Sequence, residues 1–119
     1  MKVLLVEENS AVRGVIRQLV TSPGTWIQEC VGSTDALAAY VAGRPDLVIM
    51  DIGTKDLDGI AVSEQIKEMD PAARIVLISD YDDAALRESA RRAGACGYVL
   101  KDNLLEVTGL LRITTGDKA

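Results

Sequence analysis

Apolar residues along this chain follow two alternating patterns. Val3 to Val6, Leu47 to Met50 and Ile75 to Ile78 are short unbroken apolar runs, the signature of strands covered on both faces in a parallel sheet. Trp26 to Val31 is rich in β-formers, and Tyr98 to Leu100 supplies a further short run, so five strands are predicted. Between them the apolar positions recur at helical spacing. Val12, Val15, Ile16, Leu19 and Val20 mark the first helix, Leu37 and Val41 the second, and Ile60, Val62, Ile66 and Met69 the third. A thinner inward stripe of Leu86, Ser89, Ala90 and Ala93 marks the fourth, expected to be the loosest, and Leu104, Val107 and Leu111 the fifth.

Start and stop signals agree with that division. Asn9 or Ser10 is placed to cap the first helix and Ser22-Pro23-Gly24 breaks it; Ser33 opens the second and Gly43-Arg44-Pro45 stops it. The third ends before Pro71, Asp82 or Asp83 caps the fourth, and Gly94 and Gly116 terminate the fourth and fifth. Strict strand-helix alternation with short connections implies an α/β, doubly wound parallel sheet with right-handed crossovers, as a single domain over residues 1–119.

Composition narrows the chemistry. The chain has 119 residues, 48% apolar and 26% charged, ordinary values for one soluble domain. It holds no apolar run of bilayer length and no signal-peptide core after Met1, so no membrane role is expected and cytoplasm is the expected compartment. The net charge of −5 and the scattered basic residues argue against direct nucleic-acid binding by this chain. Cys30 and Cys96 lack metal-ligand spacing and are expected to be reduced core thiols. Histidine is absent, which removes Ser-His-Asp and Cys-His pairs and the commonest zinc ligand. Any chemistry must run on carboxylates, hydroxyls and lysine.

Those residue types stand at the strand ends. Glu7 and Glu8 follow the first strand, Asp51 closes the third, Ser79 the fourth and Lys101 the fifth. In open α/β sheets ligands bind at the carboxyl ends of the strands, beside the switch in strand order, so these five residues are predicted to share one edge. Carboxylates brought together repel unless a cation compensates, and oxygen-only ligands suit Mg²⁺. Such a metal lets a carboxylate attack an anionic phosphoryl group, with a lysine and a hydroxyl to hold its oxygens.

The order and spacing of four segments resemble the response-regulator receiver domains of two-component signalling. They are Lys2 to Asn9, Pro45 to Ile60 around Asp51, Ile75 to Ser79, and Gly94 to Lys101. The resemblance covers essentially the whole chain and implies a flavodoxin-like sheet of order 2-1-3-4-5. It also implies that Asp51 accepts a phosphoryl group from the phosphohistidine of a sensor histidine kinase or phosphotransfer protein, as an acceptor rather than an enzyme. By the same resemblance Glu8, Asp51 and the backbone carbonyl of Gly53 bind Mg²⁺, with Glu7 assisting through water. Ser79 and Lys101 hold phosphoryl oxygens, Ser79 and Tyr98 move as the switch, and the fourth helix, fifth strand and fifth helix form the output surface. The Gly97 to Asp102 segment looks like that of receivers joined to helix-turn-helix DNA-binding domains, so a regulator of that kind and a stand-alone receiver are both open.

Three departures from the family pattern bear on the chemistry. Glu8 stands where aspartate is usual and is longer by a methylene, which weakens the expected metal site. Asp80 puts a carboxylate where a small residue is preferred, which opposes an incoming phosphate and predicts slow phosphorylation. Thr54-Lys55 replaces a hydrophobic residue and proline in the loop after Asp51. Glu8 and Asp80 therefore support an alternative, a receiver-like interaction domain with weak or no phosphorylation. A remote third reading is a haloacid-dehalogenase-type phosphatase, since Asp51-Ile52-Gly53-Thr54 faintly resembles that motif, though Gly53 stands where its second acid belongs. Arg87, Arg91 and Arg92 read as a solvated helix face. Leu105 and Ile113 lie off the main stripe of the fifth helix, and Gly109 within it costs about 1 kcal/mol relative to alanine, which together point to a homodimer through the output surface.

Overall fold

The computed structural model describes residues 1–53 and 58–114, with the side chains of residues 58 and 112–114 outside that description. Thr54-Lys55, Gly116 and the side chain of Ile113, each singled out above, therefore lie outside the described residues. The elements run β1 (Lys2–Val6), α1 (Ser10–Val20), β2 (Trp26–Cys30), α2 (Ser33–Gly43), β3 (Leu47–Asp51), α3 (Asp58–Met69), β4 (Ile75–Ser79), α4 (Ala84–Arg92) and β5 (Gly97–Leu100). A 3-10 turn (Lys101–Asn103) and α5 (Glu106–Thr114) follow. All strand pairs are parallel and the sheet order is β2-β1-β3-β4-β5, as expected of a flavodoxin-like α/β fold. No helix is long and apolar enough to cross a membrane among the described residues.

Side chains alternate along each strand, and the two faces bury separate cores. Leu4, Val6, Val48, Met50 and Leu77 pack on one face with Tyr40 of α2, Ile66 of α3 and Ala90 of α4. Val3, Leu5, Ile49, Ile78 and Val99 pack on the other with Ile16 and Val20 of α1 and Val107 of α5. Each such aliphatic side chain removed from water contributes about 1.5–3 kcal/mol, which is why the central strands read as unbroken apolar runs.

Local signals explain the helix ends. Asn9 Oδ1 accepts from the Ala11 and Val12 N–H groups, and Asp83 accepts from the Leu86 N–H, so these two residues are the caps. Gly94 takes a φ of 92° just after α4, a conformation that favours glycine. At the end of α2 the left-handed residue is Arg44, with a φ of 45°, and its N–H bonds the Tyr40 carbonyl. Gly43, just before it, would bring an added Cβ to 2.9 Å from the Gln28 amide oxygen, the far end of a flexible side chain that can move aside.

Several inward assignments need correction. Val15 and Val41 are 46% and 47% exposed, and Met69 is also exposed, because each helix buries a stripe one or two residues wide and these lie on its border. In α2 the buried residues are Ala36, Ala39 and Tyr40. Ser89 faces solvent, leaving Ala90 as the one buried residue within α4. Leu104 packs against the core from before α5 rather than within it. Cys30 is half-buried, whereas Cys96 is exposed in the turn into β5 and is not a core thiol.

Candidate functional site

Strand register sets the site. Val6 pairs with Met50, so Glu7 comes level with Asp51, and Ser79 pairs with Leu100, which brings Lys101 just beyond the same edge. Parity then divides the polar residues between the faces. Glu7 continues the series Val3 and Leu5, Asp51 continues Leu47 and Ile49, and Lys101 continues Val99, all on the side of α1 and α5. Ser79 continues Ile75 and Leu77, and Tyr98 packs against the same core, on the side of α4.

The first group meets. Lys101 Nζ lies 2.9 Å from Glu7 Oε1, 3.2 Å from Asp51 Oδ2 and 3.9 Å from Asp80 Oδ2. Glu7 is 1% exposed, and its other oxygen accepts the Asn9 N–H at 3.1 Å. Its Oε1 has no hydrogen-bond partner among the described residues, so the ammonium 2.9 Å away serves it as a counter-charge. Burial works against the Lys101 ammonium, but the Glu7 and Asp51 carboxylates outweigh it and hold the lysine pKa above its ordinary value. Glu8, next in sequence, is exposed.

These groups line a cavity of about 620 Å³ that includes Glu7, Glu8, Asp51, Gly53, Asp80 and Lys101. Gly53 has a φ of 89° and its N–H bonds Asp51 Oδ1 at 3.2 Å, which orients the carboxylate from its own turn. Ser79, the fourth strand-end residue, is buried and lies outside that lining; its hydroxyl accepts the Tyr81 N–H at 3.0 Å. The Tyr81 carbonyl accepts the Tyr98 hydroxyl at 2.7 Å, so Tyr81 links Ser79 to Tyr98 through its own backbone.

Three contributors were not among the residues singled out for the pocket above. Arg13 Nη1 donates to the Glu7 carbonyl at 2.8 Å and the Glu8 carbonyl at 3.3 Å, while its Nε pairs with Glu29 at 3.0 Å, pinning the acidic turn to α1 and the β2 edge. Gly59 packs on the end of β3 so closely that an added Cβ would overlap the Asp51 carbonyl oxygen. Arg87 lies over the Tyr98 ring, 4.6 Å from its centroid, and its Nε is held by Asp82 at 2.8 Å. The Asp58-Gly59-Ile60 string was a cue for Gly59; for Arg13 and Arg87 the partners are distant in sequence and no spacing flags them.

The oxygen donors are of the kind a hard divalent cation takes, and Mg²⁺, which keeps several waters, needs only one or two carboxylates, as Glu8 and Asp51 with the Gly53 carbonyl would supply from one cavity. No group of three or more acidic, cysteine or histidine side chains is arranged to hold a metal among the described residues, and Glu7 is turned onto Lys101.

Fold and pocket together define an α/β module with a charged site at the carboxyl edge of its sheet. A family model for the response regulator receiver domain matches residues 3–108. The chemotaxis protein CheY of Halobacterium salinarum is 32% identical over 100 residues, covering 84% of this chain and 83% of that protein. CheY of Treponema pallidum is 36% identical over 103 residues, covering 84% of this chain and 72% of that protein. The crystal structure of a two-component response regulator of the LuxR family from Aurantimonas sp. SI85-9A1 is similar with a TM-score of 0.83 at 31% identity, covering 97% of this chain and 85% of that one. The chain belongs to the response regulator receiver family, as a receiver domain of two-component signalling. Membership leaves the phosphatase reading without support.

Proposed function

We propose that the chain is a phosphoacceptor switch, in which Asp51 takes a phosphoryl group from the phosphohistidine of a sensor histidine kinase or phosphotransfer protein. The carrying observation is a strand-end carboxylate, oriented by the Gly53 N–H, that opens into the cavity with an ammonium 3.2 Å away. In the transfer an Asp51 oxygen forms a bond to phosphorus as the P–N bond breaks, and the imidazole leaves with the bonding electrons and takes up a proton. Lys101 is within reach of an oxygen of the resulting acyl phosphate. The chain acts as an acceptor and not as an enzyme on a separate substrate.

Receiver domains in general bind Mg²⁺ at their acidic pocket. Here Glu8, Asp51 and the Gly53 backbone carbonyl would hold that ion, which would offset charge on the incoming phosphoryl group. The output reading rests on Ser79, Tyr81 and Tyr98, which join the end of β4 to β5 by consecutive hydrogen bonds. Movement of Ser79 toward a phosphoryl group costs the Tyr81 N–H bond and releases the Tyr98 anchor, shifting a surface equilibrium toward a partner-binding form. That surface comprises α4, β5 and α5 and is the proposed homodimer contact, with Leu105 exposed at its edge. Attachment to a DNA-binding output belongs to the same proposal.

A second reading, an interaction domain with little phosphorylation, is favoured by one observation: Asp80 adds a carboxylate 3.9 Å from Lys101. The test is incubation with a small acyl phosphate in Mg²⁺ buffer and intact mass spectrometry. A single phosphoryl adduct on the wild type, absent from Asp51→Asn, is expected; no adduct at any donor concentration selects the interaction domain. Light scattering with and without donor checks the dimer.

A further inference from the structure

We infer that Arg13, seated by Glu29, is a positioning residue for the metal-binding end of the pocket: it holds the Glu7-Glu8 turn by its carbonyls and so sets Glu8 for Mg²⁺ without touching the ion. The inference deepens the receiver reading and rests on it for the location and nature of the site.

Both carbonyls of the turn between β1 and α1 accept from one atom. Arg13 Nη1 donates to the Glu7 carbonyl at 2.8 Å and to the Glu8 carbonyl at 3.3 Å. Its Nε is tied to Glu29 Oε1 at 3.0 Å, and Arg17 closes on the two oxygens of the same carboxylate at 2.8 and 2.9 Å. A guanidinium presents its donors in a rigid planar fork, so seating Nε on β2 also fixes where Nη1 points. The rest of the turn is held by the Glu7 N–H on the Cys30 carbonyl at 3.0 Å and the Asn9 N–H on the Glu7 carboxylate at 3.1 Å. Neither of those bonds reaches Glu8.

Glu8 depends on that hold more than an aspartate would. Its side chain is exposed and carries one more rotatable bond, so the reach of its carboxylate is decided by where the backbone places its Cα. Mg²⁺ demands near-ideal octahedral geometry, and a displaced turn therefore costs affinity. Charge works the other way. Arg13 is a cation bonded to the backbone of the acidic turn, and by Coulomb repulsion alone its removal should tighten the binding of a divalent ion nearby. Position and charge thus predict opposite signs for one substitution.

The test is calorimetric titration of the whole chain with MgCl₂ at constant ionic strength, on variants whose circular dichroism matches wild type. Arg13→Ala should bind Mg²⁺ at least fivefold more weakly than wild type. Arg17→Ala removes an equal charge from the same Glu29 carboxylate but from no carbonyl of the turn, and should lose no more than twofold. A loss under fivefold, no change or tighter binding in Arg13→Ala overturns the inference, as does a loss above twofold in Arg17→Ala. A merely structural arginine would lower the urea midpoint and leave the Mg²⁺ affinity of the folded chain where it was. If Arg13→Ala fails to fold, Arg13→Lys decides, because it keeps the charge and loses the fork: binding at least threefold weaker supports the positioning role, and any smaller loss refutes it. Absence of Mg²⁺ binding by wild type overturns the inference outright, and adduct formation on Asp51, followed separately by mass, shows whether the receiver reading stands when the inference falls.

Discussion

At the amino ends of the strands most polar groups are engaged by near neighbours. The Lys2 N–H donates to Asp46 at 2.7 Å, the Tyr40 hydroxyl to Asp70 at 2.7 Å, and the Lys67 ammonium to the Pro71 and Ala73 carbonyls at 2.6 and 2.9 Å. A cavity of about 440 Å³ opens there, lined by Tyr40, Asp46, Asp70 and Arg74 among others. At the carboxyl ends the groups are similar in kind, but four carboxylates face one ammonium. The first arrangement is structure, since its acids, tyrosine and Lys67 are each engaged by neighbouring groups, with the Arg74 guanidinium exposed at the rim. The second leaves an excess, and an excess of charge at a switch in strand order is what gives a cavity chemistry.

The sharpest way to break this contrast is to remove one acid from each end. Asp51→Asn should abolish phosphoryl adduct formation, whereas Asp46→Asn and Asp70→Asn should leave its extent unchanged by intact mass. Loss of the adduct in either amino-end variant, with the fold intact, would mean that the two ends are not separate. Lys101→Ala comes next. It leaves the buried Glu7 carboxylate without its counter-charge and should cost about 3 kcal/mol in urea unfolding at neutral pH, toward the low end for a buried pair because the cavity admits water. The double variant Glu7→Gln with Lys101→Ala should recover a good part of that loss, and no recovery would deny the pair its role. Gly59→Ala should cost about 2 kcal/mol, since its Cβ meets the backbone of Asp51 and Ile52, which cannot step aside as a flexible side chain would.

The strands and their polar ends were legible because burial on both faces writes itself as unbroken apolar runs, and an acid or lysine ending such a run stands out. The faces of the helices were less so. Val15, Val41 and Met69 sit at the border of a stripe, where the helical period alone does not say which flank turns to water. The Glu7 and Lys101 pair was hidden for another reason. Adjacent glutamates look alike in a sequence, and only the parity of β1 sends Glu7 inward while Glu8 stays exposed. Parity also separates Ser79 from the cavity, although all the strand-end residues were expected in one pocket. Arg13 reaches the acidic turn through a tertiary contact with Glu29 that no local pattern carries.

The smallest predicted effect lies at the amino end and depends on pH. The Tyr40 hydroxyl, foremost among its neighbours, holds the Asp70 carboxyl below its ordinary range. A carboxylate with a depressed folded pKa contributes stability that is present above its unfolded value and is lost as the pH falls through the folded one. The tyrosine obeys the opposite rule. Burial, then the Asp70 carboxylate, pushes its pKa up to about 12, so its contribution is complete below the ordinary tyrosine value of about 10 and is lost as the pH rises through about 12. Tyr40→Phe removes the tyrosine dependence and the largest part of the Asp70 one while keeping the ring in the core. The gap in urea midpoint between wild type and Tyr40→Phe should be widest from mildly acidic to mildly alkaline pH, and should close below the carboxylate range and again at strongly alkaline pH. A gap that stays constant from acid to neutral would show that the hydroxyl to Asp70 bond adds nothing, and the pairing of Tyr40 with Asp70 would then be geometry without energy.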